Sequence, residues 1–139
     1  MTKEVTLVFE KQSEKEYACF VEEKFEKFGL IGYGATANDA EKDLYVSLAE
    51  TKEILEEQEV QMPELIFGKK KFDVGSFFSY YPFFNITQFA KYAGLNPSQV
   101  RQYASGTRMP TKQKKEQMNE AVKALAQTFL SDSRAFSID

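Results

Sequence analysis

Early in the chain the apolar positions change period once. Val5, Leu7 and Phe9 alternate with Thr6, Val8 and Glu10, and a second run, Tyr17 to Val21, is bracketed by charged residues. Both read as strands, with Gln12, Ser13, Glu14 and Lys15 as the hairpin loop between them. Leu30, Ile31 and Tyr33, set among Gly29, Gly32 and Gly34, predict a short third strand where glycine permits a tight turn or a close backbone approach. Antiparallel pairing is the simplest arrangement for the three. The period then lengthens: Ala40, Leu44, Leu48, Thr51 and Leu55 recur at three and four residues. This predicts a helix from about Asp39 to Gln58, one face on the sheet and its acidic residues in solvent. Thr36 and Asn38 are both candidate caps, and Glu41 stands three residues after Asn38 as a capping-box partner. Pro63 closes the helical region, and Leu65 to Phe72 predicts a fourth strand, interrupted at Gly68 and carrying Lys69, Lys70 and Lys71 as edge or solvent charge.

Seven aromatics follow within thirteen positions: Phe72, Phe77, Phe78, Tyr80, Tyr81, Phe83 and Phe84. Such density predicts buried packing at the joint between two halves, with a short helix near Gly75 to Tyr81. Beyond Pro82 the local signals become more specific. Asn85 can cap a helix containing Phe89, Ala90 and Tyr92, Gly94 can end it in the left-handed conformation, and Asn96 with Pro97 can open a second helix. A small residue at Ala90, a turn glycine four residues later and an inward Val100 six residues after that is helix-turn-helix spacing. On the second helix Val100, Tyr103 and Ala104 face the core. Ser98, Gln99, Arg101, Gln102 and Ser105 supply donors and acceptors suited to a major groove, since arginine pairs bidentately with guanine and glutamine with adenine. Gly106, Thr107, Arg108 and Pro110 form the exit loop. Arg108, Lys112 and Lys91 are expected on phosphates, which position the reader without specifying sequence. A last helix from about Thr111 to Leu130 has the apolar stripe Met118, Val122, Leu125 and Phe129, expected to cover the two preceding helices and a second subunit. Residues after Ser131 read as a frayed tail.

Composition narrows the chemistry. The 139 residues hold no histidine and one cysteine, Cys19, which excludes histidine general bases, Ser-His-Asp and Cys-His nucleophiles, a cysteine or histidine zinc cage and an internal disulfide. Cys19 reads as a small core side chain. Asp39, Glu41 and Asp43 read as helix amino-terminal charge and not as metal ligands. No secretory leader and no long apolar run is recognisable, so a cytoplasmic chain is expected. The net charge of −3 divides unevenly. Residues 1–62 carry 7 basic and 15 acidic side chains, net −8, and residues 63–139 carry 11 and 6, net +5. Fields of opposite sign steer the two halves toward different partners.

Tyr17 to Phe20, followed by Gly29-Leu30, Gly32, Gly34, Ala35-Thr36 and Ala40-Glu41, forms one set of positions. Phe83-Phe84-Asn85-Ile86, Ala90, Gly94-Leu95-Asn96 and Arg101-Gln102-Tyr103-Ala104-Ser105-Gly106 forms a second. The first set resembles the strand-strand-helix signature of HicB-type antitoxins of bacterial toxin-antitoxin pairs. The second is similar to the DNA-binding half of one branch of that family. The resemblance implies an α+β chain: a partial ribonuclease-H-like β-β-β-α-β domain over residues 1–73, and an all-α helix-turn-helix domain over residues 74–139. It implies that the first domain blocks a HicA-type messenger-RNA interferase and that the second represses the operon; a homodimer or larger oligomer is expected because helix-turn-helix proteins gain affinity by placing two readers on a two-fold site. A toxin that grips RNA must present a basic surface, which a net −8 domain can occupy in place of phosphates. No ribonuclease carboxylate cluster is recognisable, so a non-enzymatic protein without cofactor or metal is expected. Two other readings share some of these features: a stand-alone dimeric transcriptional regulator, and an RNA-binding or nucleolytic module, against which the acidic first half argues.

Overall fold

The computed structural model describes residues 1–131 and residue 136: a mixed α+β structure with one four-stranded sheet and, among the described residues, five helices. The tail read after Ser131 lies outside the described residues except for Phe136, which is exposed. β1 (Thr2–Ser13) pairs antiparallel with β2 (Glu16–Val21), which pairs antiparallel with β3 (Ile31–Gly34). The hairpin is tighter than the four-residue loop expected. Ser13 still faces Glu16, so Glu14 and Lys15 alone turn the chain, and a register shift between Lys11 and Ser13 absorbs Gln12 as a bulge.

α1 (Ala37–Glu57) leads to β4 (Glu64–Phe72), which lies parallel to β1 in the sheet order β3-β2-β1-β4. A parallel neighbour needs such a crossover. The interruption read at Gly68 is a bulge within a continuous strand, because Val5 faces Phe67 and Thr6 faces Lys69. Lys69, Lys70 and Lys71 are exposed on this edge strand, where lysine discourages further pairing, and Lys71 Nζ lies 2.8 Å from Glu22.

Of the two candidate caps of α1 only Thr36 serves, its hydroxyl accepting the Asp39 N–H at 3.1 Å. Asn38 is already helical, so the capping box with Glu41 does not form. The Asn38 side-chain amide donates to the Tyr80 carbonyl at 3.4 Å, and Glu41 accepts the Tyr45 hydroxyl at 3.0 Å. Burial, aided by this carboxylate, pushes the Tyr45 hydroxyl up to about 12. Ala40, Leu44 and Leu55 of the expected stripe are buried, and Leu48 and Thr51 half-buried. Ala40 and Leu44 join Leu7, Phe9, Tyr17, Cys19 and Leu30 in one core. Cys19 is fully buried there, which pushes its thiol up to about 12. Asp43 does more than charge the start of the helix: its carboxylate accepts the Tyr33 N–H at 2.9 Å, and Ser47, one turn on, donates to the Ile31 carbonyl at 3.1 Å. Ile31 and Tyr33 alternate with the residues turned toward β2, so α1 side chains satisfy outward backbone groups of β3. The Thr6 N–H donates to Glu23 at 2.7 Å and holds that carboxyl below the usual carboxylate range.

α2 (Val74–Tyr80), α3 (Ile86–Tyr92), α4 (Pro97–Ser105) and α5 (Lys112–Ser131) build a second core from Phe89, Ala90, Leu95, Val100, Tyr103, Met118 and Ala121. The aromatic patch joins the two, though half-buried and not buried as expected, and Phe83 at its end is exposed. Phe72 stacks on Phe9 at 4.8 Å and Tyr80 meets the same ring edge-on at 5.3 Å, while Phe77 and Phe78 reach Phe89 at 6.3 and 5.5 Å. Asp73 fixes the start of α2, accepting the Ser76 N–H with one oxygen and the Lys11 N–H with the other, both at 2.8 Å. Gly75 then crosses α4 so closely that a Cβ on it would stand 2.5 Å from the Ala104 carbonyl, to which Lys11 Nζ also donates at 3.3 Å. No helix among the described residues is long and apolar enough to cross a membrane.

Candidate nucleic-acid interface

The local chemistry of the second half sets its helices. Asn85 accepts the Gln88 N–H at 3.0 Å and starts α3; Asn96 accepts the Gln99 N–H at 3.2 Å and starts α4, with Pro97 in the first turn where no amide proton is needed. Between them Gly94 adopts φ +75°, and the Leu95 N–H returns to the Ala90 carbonyl at 2.8 Å. Gln117 of α5 clamps this turn, its amide donating to the Ala93 carbonyl at 2.8 Å and the Gly94 carbonyl at 3.3 Å. Gly106, φ +85°, ends α4. Val100 and Tyr103 point into the core, which leaves the opposite side of α4 to solvent.

The eight expected DNA-binding residues are not equivalent on that surface. Ser98, Arg101 and Gln102 are exposed side by side along α4, whereas Gln99 is half-buried on its flank. Ser105 is exposed, but its hydroxyl donates to the Gln102 carbonyl at 3.1 Å and lies 3.0 Å from the Thr107 hydroxyl, so it is engaged in closing the helix end. Lys91 at the end of α3, Arg108 in the exit loop and Lys112 at the start of α5 are all exposed. From Val74 through Lys115 the sequence contains no carboxylate, so nothing in that stretch opposes an anionic ligand. Arg101 Nη1 donates to the Thr87 hydroxyl of α3 at 2.8 Å, a partner that periodicity does not reveal because it depends on how the two helices meet.

The stripe of α5 is covered only in part. Met118 is buried, and Val122 and Leu125 pack against the second core. Phe129 is 63% exposed and Leu130 85% exposed, so the far end of the helix does not cover α3 and α4 as expected. The reason is geometric: a 20-residue helix is about 30 Å long at 1.5 Å per residue, longer than the short helices beneath it. Among the described residues no group of three or more cysteine or acidic side chains comes together to hold a metal ion. Compared with protein-family models, curated proteins and solved structures, the chain gives no significant match.

Proposed function

We propose that this chain is a non-enzymatic HicB-type antitoxin, which represses its own operon through α4 and neutralises a HicA-type messenger-RNA interferase through its acidic first half. The observation that carries the DNA-binding reading is the outward side of α4. Ser98, Arg101 and Gln102 are presented by a helix whose other side is buried, within a stretch free of carboxylates. Arg101 is suited to guanine and Gln102 to adenine, while Lys91, Arg108 and Lys112 supply phosphate contacts around them. The antitoxin reading is supported by the resemblance of the quoted residues, by the β-β-β-α-β order it implies and by the net charge of −8 on residues 1–62. The uncovered end of α5 around Phe129 and Leu130 offers an apolar surface for the second copy that a two-fold operator requires.

Co-purification with the product of a short basic open reading frame beside this one tests the antitoxin role. Recovery of the protein alone would leave a stand-alone regulator. For the DNA role, the Arg101→Ala change is expected to cost about 1–3 kcal/mol at the specific site and to blur one base position, whereas the Lys112→Ala change should weaken all sequences alike and flatten the salt dependence. A salt-titrated mobility-shift series on the upstream region reads both. Unaltered affinity and base preference in the Arg101 variant would remove α4 as the reader.

A further inference from the structure

We infer that Thr87 is a positioning residue for base recognition, holding the guanidinium of Arg101 in its reading pose before DNA arrives; the inference rests on the DNA-reading role proposed for α4. Arg101 is exposed on α4, where a long side chain would otherwise sample many rotamers. Here Nη1 is anchored 2.8 Å from the Thr87 hydroxyl, across the junction from the first turn of α3. Thr87 is half-buried and β-branched, so its hydroxyl is itself held in a restricted orientation. One donor of the fork is used in this bond. Arginine has five, and the remaining ones suffice for the paired acceptors on the edge of guanine. The other candidates along α4 differ: Ser105 bonds back to its own helix, and Arg101 is the reader tied to a neighbouring helix among the described residues.

Ordering a flexible side chain at an interface costs enough that its prior ordering is worth about 2- to 12-fold in affinity. The test selects binding sites from a randomised duplex pool with the native full-length protein, then measures the winning sequence against Thr87→Val, which keeps the shape and removes the hydroxyl, and Thr87→Ser, which keeps the hydroxyl. The valine variant is expected to bind about 2- to 12-fold more weakly and to lose preference at the base that Arg101→Ala also blurs, with serine restoring both. In an Arg101→Ala background the valine change should have no effect. Should valine unsettle α3, seen as a lowered melting temperature, Thr87→Ala repeats the comparison. Native-like affinity and selectivity without the hydroxyl would overturn the inference, as would an equal loss with and without Arg101, which marks a direct phosphate contact by Thr87. Failure of the native protein to select any sequence would remove the DNA-reading role itself and this inference with it.

Discussion

Replacing Phe9 by alanine is expected to destabilise the protein by about 3–5 kcal/mol, the range for removing a large buried aromatic and leaving a cavity. Phe9 is fully buried at the centre of the sheet core, and its ring is stacked on Phe72 and met edge-on by Tyr80. Phe72 lies just before α2 and Tyr80 is its last residue, and α2 packs on α4 through Gly75. Loss of the ring therefore undermines both the sheet and the support of the second core. Urea unfolding followed by circular dichroism gives the size of the effect. A cost below about 1 kcal/mol would show that the aromatic joint is not what holds the two cores together.

The Gly32→Ala change should also be severe, through overpacking. A Cβ on Gly32 would stand 2.3 Å from both the Ala40 carbonyl oxygen and the Leu44 nitrogen. These are backbone atoms of α1 and cannot rotate away, so the helix must lift from β3. Overpacking in a dense core costs about 1–3 kcal/mol, and the upper part of that range is expected where the obstacle is backbone. Gly29 is the control: a Cβ there meets nothing within 4 Å. Thermal melts of the two variants should separate clearly, and equal midpoints would mean that α1 does not lie so close to the strand.

The elements of the second half are legible in the sequence because their signals are local. Asn85, Gly94, Asn96, Pro97 and Gly106 each act within a turn or two of the chain, and the structure uses them where the pattern places them. The first half is legible as strands and helix but less so in its details. Thr36 and Asn38 offer similar capping chemistry two residues apart, and the choice falls to Thr36 because its backbone is still extended where the helix begins, whereas Asn38 already lies inside it. The neighbour of β4 and its parallel direction follow from the path of the crossover and not from its own composition. An apolar stripe shows which side of α5 avoids water without showing how far another element reaches along it, hence the mistaken extent of its coverage at Phe129. For the candidate interface, exposure of Arg101 and Gln102 follows from helical periodicity, but the engagement of Ser105 by Thr107 and of Arg101 by Thr87 depends on three-dimensional meeting points.

The bonds from Asp43 and Ser47 to β3 also bear on what many copies of this chain can build. A sheet grows into a fibril only if strands can be added at both margins, and here an N–H and a carbonyl of one margin are already bonded by the protein's own helix. Copies that met through β4 would have to bring exposed lysines together. Extension strand by strand is thus disfavoured at both margins, by the helix's own bonds at one and by like charge at the other.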